Sequence, residues 1–205
     1  CHTLRRMMPV PATLYVMHEL ALALAYIHSI KPPIIHRDVT PQNIFCSRDG
    51  YIKLGDFGVA KSAMNHAVTE IGVAKGTIPY LAPEPARGEP VCRRTDVYAA
   101  GLLRFRMLTG QRLITGDSDM ALVLNAQQPK LIAPSRIIPT VAHLDRLVLS
   151  ALHPNLDHRL RSADQMVQTL ELLLDKEPFD AASMDALLLR LEQEADVAKI
   201  PTQIE

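Results

Sequence analysis

Cysteine is scarce in this 205-residue chain: there are three, Cys1, Cys46 and Cys92. An odd count without metal-ligand spacing argues against a disulfide framework or a zinc site and for reduced thiols in a cytoplasmic protein. Net charge is also missing, with 22 basic residues against 22 acidic ones. No overall field draws the chain to nucleic acid or an anionic membrane surface, so a charged ligand would have to be held locally. Long apolar runs are absent too; stretches such as Leu20 to Ile27 are broken within a few turns and fall short of a bilayer span, so no membrane segment is expected. No leader peptide is expected, and Cys1-His2-Thr3-Leu4 reads as a start within a domain. There is no internal repeat or low-complexity tract.

The length and ordinary apolar content suit one globular domain with a substantial core. From Pro11 to Ser29 the residues Leu14, Met17, Ala21, Leu24 and Ala25 recur at helical spacing, and Pro32-Pro33 stops the run. Ile44-Phe45-Cys46 and Tyr51-Ile52-Lys53-Leu54 flank Ser47-Arg48-Asp49-Gly50, in which Asp-Gly signals a β-hairpin. Gly55 to Val91 is rich in Gly and Pro without a sustained period and reads as a long functional loop. Helical patterns follow over Arg94–Thr109, closed by Gly110, then over Asp117–Asn125, Ala142–Leu152, Ser162–Asp175 and Asp180 to about Ala198. Ser162-Ala163-Asp164-Gln165 predicts a capping box for the fourth of these. The expectation is a mainly α domain with one hairpin and one long loop.

Between the first helix and the hairpin stands His36-Arg37-Asp38-Val39-Thr40-Pro41-Gln42-Asn43, the pattern H-R-D, four residues, Asn. Four fixed positions arise by accident roughly once in 10⁵ starting points. Asp56-Phe57-Gly58 follows the hairpin and Ala82-Pro83-Glu84 closes the long loop. In that order and spacing the chain resembles a eukaryotic-type serine/threonine protein kinase. Thr40-Pro41-Gln42 is similar to the bacterial branch, and the resemblance covers the C-terminal lobe only, about residues 1–175, with 176–205 a helical extension. Its implied fold is the kinase C-lobe with a long activation segment, half of a family fold that is α+β.

The resemblance implies ATP and Mg²⁺ as cofactors and a protein bearing Ser or Thr as substrate. Asp38 would orient the acceptor hydroxyl, Asn43 and Asp56 would bind the metal, and Phe45 would touch the nucleotide. Thr77, after Gly76, would meet the catalytic aspartate. Arg37 would pair with a phosphorylated loop residue, for which Thr69 is the leading candidate. Structural roles fall to His36, packed against Phe57 before Gly58, to Glu84 paired with Arg159, and to Asp96 bonded to the catalytic-loop backbone. Taken singly, Asp38 and Asp56 could be ordinary turn acids; jointly the functional reading outweighs that.

Departures favour another reading, a catalytically inactive kinase-like interaction module. No glycine-rich phosphate loop or V-A-I-K lysine occurs in the 205 residues. Arg104 falls in the apolar stripe Val97, Ala100, Gly101, Met107 and Leu108, and Arg106 replaces a common glutamate; Thr40, where a phosphate-touching lysine is usual, is read as variation within the bacterial branch. A small-molecule phosphotransferase of similar fold is a third reading, against which Gly76-Thr77 and Ala82-Pro83-Glu84 argue. The last helix, with Met184, Leu187, Leu188 and Leu191 on one side, either packs on its own domain or binds a protein partner.

Overall fold

The computed structural model describes residues 7–56 and 76–197. They form a mainly helical domain with one two-stranded sheet, the fold class expected from the sequence.

Helix α1, Val10–Ser29, starts among prolines, whose missing N–H groups cost nothing in a first turn. By length and composition it could cross a membrane, but more than half of it is buried in the domain. It packs along α6, Ala163–Leu174, and against α3, Arg93–Thr109. Fourteen of the seventeen residues of α3 are buried, and only Arg93, Arg94 and Arg106 reach solvent. This helix is the axle of the core, and it ends where Gly110 takes φ 71°, the left-handed conformation that glycine adopts without a Cβ penalty.

Helix α5, Asp145–Ala151, packs on α3, and α4, Asp119–Gln127, lies against the return of the long loop. Three 3₁₀ turns, Pro134–Arg136, Pro139–Leu144 and Leu156–His158, are too short to leave a period in the sequence. The long Gly/Pro-rich loop is less plain than its composition suggests. Its return path holds a 3₁₀ turn at Ile78–Tyr80 and a short helix α2, Pro83–Ala86. At the start of α6 the Ser162 hydroxyl accepts the Gln165 N–H, but the Gln165 carbonyl oxygen takes the N–H of Arg161 rather than that of Ser162, so the capping box is displaced by one residue on its return arm.

Strand β1, Ile44–Cys46, pairs antiparallel with β2, Ile52–Leu54, in the register Ile44 to Leu54 and Cys46 to Ile52. The turn end of this hairpin meets α7, Ala181–Val197. Gly50 has φ 79°, and a Cβ there would lie 1.9 Å from the carbonyl oxygen of Ala181. The Tyr15 hydroxyl donates to the Gly50 carbonyl at 3.3 Å, and the Tyr15 ring packs on Phe179 at 5.9 Å. Met184 is buried in the domain core, with Leu187 and Leu188 half-buried against it. The apolar side of α7 is thus used within the chain, as packing rather than as an open docking face.

Both backbone conformation and space therefore demand glycine at position 50. Gly50→Ala is expected to cost at least about 1–2 kcal/mol from the left-handed φ alone, with the displacement of α7 in addition. The check is a thermal melt together with tryptic cleavage at Arg190 within α7. A variant that melts with the wild type and is cut no faster would contradict the contact.

Candidate active site

The loop that carries Asp38 is pinned from below by one carboxylate. Asp96, in the first turn of α3 and 1% exposed, accepts the backbone N–H groups of His36 and Arg37, each at 2.8 Å, and the Nε2 proton of His28, also at 2.8 Å. Arg37 sits at φ 67°, a region that costs a non-glycine residue on the order of 1–2 kcal/mol. The bond from its N–H to Asp96 is what holds the loop in that shape. Its side chain is exposed, without an ion-pair partner among the described residues.

His36 is fully buried. One ring nitrogen, Nε2, meets the Gly55 carbonyl at 3.0 Å, and the other, Nδ1, meets the Asp38 N–H at 3.3 Å. A carbonyl only accepts and an N–H only donates, so the ring is the Nε2–H tautomer. It fastens the loop to the strand end that leads into Asp56.

Asn43, also buried, supplies the second fastening. Its amide nitrogen donates to the backbone carbonyl of Asp38 at 2.8 Å and to the Asp38 carboxylate at 3.0 Å. Both amide protons are engaged, and Oδ1 is the atom left to face a ligand. Because Ile44 pairs with Leu54, the residues just outside the hairpin are adjacent, and the Gly55 N–H donates to the Asn43 carbonyl at 2.9 Å. Asp56 follows at once, exposed and at φ 54°, a second non-glycine residue in the left-handed region. Asp38 and Asn43 are thus in direct contact, with Asp56 one residue beyond their backbone tie. The exposed Phe45 ring lies over Gly55, where a Cβ would come within 2.7 Å of it.

The return of the long loop passes nearby, where a Cβ at Gly76 would sit 3.6 Å from the Gln42 side chain. Thr77 is half-buried and its carbonyl starts the next 3₁₀ turn, accepting from Tyr80 at 2.9 Å. The Tyr80 hydroxyl is bonded by Arg106 of α3. Burial pushes the Tyr80 phenol up, and the Arg106 guanidinium offsets only part of that. Arg106 therefore anchors the loop to the core helix. Thr40 is buried, and its carbonyl accepts the N–H of Asn43 at 3.1 Å.

Further down, Glu84 and Arg159 make a two-pronged pair at 2.8 and 2.9 Å, both nearly inaccessible. Thr95 adds a hydroxyl bond to Glu84 at 2.8 Å. Arg159 also donates to the carbonyls of Arg94, His153 and Pro154, with its guanidinium 4.7 Å from the centre of the Tyr98 ring. Burial alone would raise the Glu84 carboxyl, but the hydrogen bonds and charge of Arg159 outweigh it and hold the group below its ordinary range. Phe57, Gly58 and Thr69 lie outside the described residues.

His28 is the participant that the sequence did not single out. It occurs inside the helical pattern of α1 without a motif around it, and only its position 68 residues before Asp96 in sequence and 2.8 Å from it in space reveals the link.

A family model described as "Protein kinase domain" matches residues 5–190. A probable serine/threonine-protein kinase of Streptomyces coelicolor is 36% identical over 190 residues, 91% of this chain and 28% of that protein. Serine/threonine-protein kinase PknB of Mycobacterium tuberculosis is 37% identical over 183 residues, 88% of this chain and 29% of that protein. The chain thus spans less than a third of the length of these relatives. Among solved structures, the kinase domain of PknI from Mycobacterium tuberculosis superimposes with a TM-score of 0.59 at 24% identity, over 82% of this chain and 56% of that one, a likeness of fold.

Proposed function

The chain belongs to the protein kinase family, and from that premise we propose that it is the lower catalytic lobe of a serine/threonine protein kinase that moves the ATP γ-phosphate to a protein hydroxyl. The observation that carries this is the Asn43 amide bonded to both the carbonyl and the carboxylate of Asp38, beside the strand end that delivers Asp56. An ordinary turn would need no such convergence of polar side chains at the mouth of a hairpin.

Phosphoryl transfer asks a protein mainly for positioning and charge neutralisation. Asp38, its carboxylate fixed by Asn43, orients the acceptor hydroxyl and takes its hydrogen bond. Asn43 Oδ1 and the exposed carboxylate of Asp56 are hard oxygen donors, which fit Mg²⁺ and would suit thiophilic metals poorly. Bound there, magnesium would neutralise the charge on the phosphate oxygens of ATP. Phe45, exposed on the hairpin, offers an apolar surface for the nucleotide base. Thr77 borders the acceptor side. Arg37, exposed next to Asp38, remains the side chain suited to a phosphorylated loop residue, with Thr69 its candidate partner.

The 205 residues hold no glycine-rich phosphate loop, so the isolated chain is expected to turn over negligibly while retaining weak, magnesium-dependent nucleotide binding. Calorimetric titration of ADP with and without Mg²⁺ tests this. In wild type the metal should strengthen binding, and in Asp56→Ala or Asn43→Ala that enhancement should vanish. Equal enhancement in all three proteins would sink the assignment of those ligands.

A further inference from the structure

Two arginines stand beside the return of the long loop with no carboxylate to answer them. Arg106 lies one turn before the end of α3, where its carbonyl accepts the Gly110 N–H at 2.8 Å, and Arg112 follows two residues after that glycine. We propose that Arg106 and Arg112 select the protein substrate by receiving a carboxylate side chain close in sequence to its serine or threonine, so that the preferred substrate is an acidic segment. The inference rests on the kinase reading above and adds to it the class of sequence accepted.

Position is the first support. The Arg106 guanidinium donates to the Tyr80 hydroxyl, and the Tyr80 N–H in turn donates to the Thr77 carbonyl at 2.9 Å. Gly76, just before Thr77, faces the Gln42 side chain, where a Cβ would sit 3.6 Å away, and Gln42 precedes the Asn43 that holds Asp38. One turn of loop therefore joins this arginine to the residues around the proposed acceptor. An extended peptide advances about 3.3–3.6 Å per residue, so side chains flanking the acceptor run along this stretch.

Charge is the second. Basic and acidic residues cancel at 22 each over the whole chain, but not here. Among the described residues neither guanidinium makes an ion pair. Asp117 and Asp119, exposed at the approach to α4 where that helix packs on the Ile78–Tyr80 turn, pair with neither of them. Arg106 is half-buried and held by Tyr80 through one arm of its fork; its other N–H groups have no protein partner among the described residues and are open to solvent. Arg112 is exposed. Burial raises the Tyr80 phenol, and the hydrogen bond and charge of Arg106 and then the charge of Arg112 act against it, so both guanidiniums are felt at one hydroxyl. A guanidinium fixed and partly screened from water takes a carboxylate through parallel N–H···O bonds and repels lysine or arginine at the same place.

Binding of short serine peptides to the whole 205-residue chain, read by fluorescence anisotropy, decides the matter. The peptides differ only in their flanks, which are glutamate, glutamine or lysine. The glutamate peptide should bind roughly tenfold tighter than the glutamine peptide, the scale of one charge-assisted hydrogen bond, and the lysine peptide should be the weakest. Arg106→Gln should remove most of that preference and Arg106→Lys should retain most of it. Arg112→Gln, at an exposed position, should melt close to wild type and reduce the preference about threefold. Reversing both charges, Arg106→Glu with Arg112→Glu, should turn the preference toward the lysine peptide, which a merely structural role would not do. A single glutamate moved along the glutamine peptide should give its gain at one offset from the serine. Equal binding of the three peptides, a glutamate preference untouched by Arg106→Gln and Arg112→Gln alike, or an equal gain at every offset overturns the inference. Loss of the metal reading would show instead in the ADP titration of Asp56→Ala, a variant in which the peptide preference should persist.

Discussion

Arg159→Ala is expected to lower stability by about 3–5 kcal/mol, the range seen when one partner of a buried ion pair is removed. The variant would leave the Glu84 carboxylate buried with little beyond the Thr95 hydroxyl to satisfy it, and would strip partners from the carbonyls of Arg94, His153 and Pro154. For a domain of this size each kcal/mol moves the melting temperature by about 2–4 °C, so a drop of roughly 10 °C is the expected readout. A melt within a degree of wild type would show that the pair contributes nothing. The double replacement Glu84→Leu with Arg159→Met should recover only part of the loss, because the three carbonyls would still lack a donor.

Acid titration gives the same pair a second signature. The native Glu84 carboxyl titrates below its ordinary value of 4.5, so the unfolded chain binds more protons in that window. The contribution is therefore complete above about pH 4.5 and is lost as pH falls through the native value. Arg159→Ala should flatten that part of the stability profile, and an unchanged acid slope would mean that another carboxylate dominates it.

What the sequence disclosed follows from which constraints are local. The family motifs fix residue type at short spacing, so His36, Asp38, Asn43 and Asp56 stand out of 205 residues without any knowledge of packing. The Asp-Gly turn and the helical periods are equally local, and the hairpin and the long helices lie where those signals put them. Glu84 and Arg159, 75 positions apart, came to notice through resemblance alone, since no pattern joins them. Long-range contacts left no trace: neither the bond from His28 to Asp96 nor the approach of α7 to Gly50 has a motif. Helix α3 lies where its helical pattern put it, but the stripe Val97, Ala100, Gly101, Met107 and Leu108 does not disclose that most of its other positions are buried as well, since periodicity assumes a wet face and a dry one.

That burial makes Arg104 the residue with most to gain from replacement. It is 0% exposed, its bond to the Leu147 carbonyl is long at 3.4 Å, and its Nε and one terminal nitrogen have no partner. The helix offers no route by which the guanidinium could reach water. Burial holds its guanidinium well below the ordinary arginine range, to about 10, because the charged form is the one that loses its hydration. Above that pH the native state binds fewer protons than the unfolded chain, so the penalty is fully present at neutral pH and is relieved only as pH rises through about 10. Arg104→Met keeps most of the volume and removes the charge, and is expected to stabilise the domain by about 1–4 kcal/mol, or several degrees in a melt. The gain should be constant between pH 6 and 9, since Arg104 does not titrate there. Its consequence would extend along α3, whose first turn carries Asp96 and Thr95, the anchors of the loop that holds Asp38 and of the Glu84 pair. A firmer α3 should slow exchange at the His36 amide as well as raise the melt. If Arg104→Met melts at or below wild type, the guanidinium is satisfied in solution, and Arg104 is part of the core's architecture rather than a strain within it.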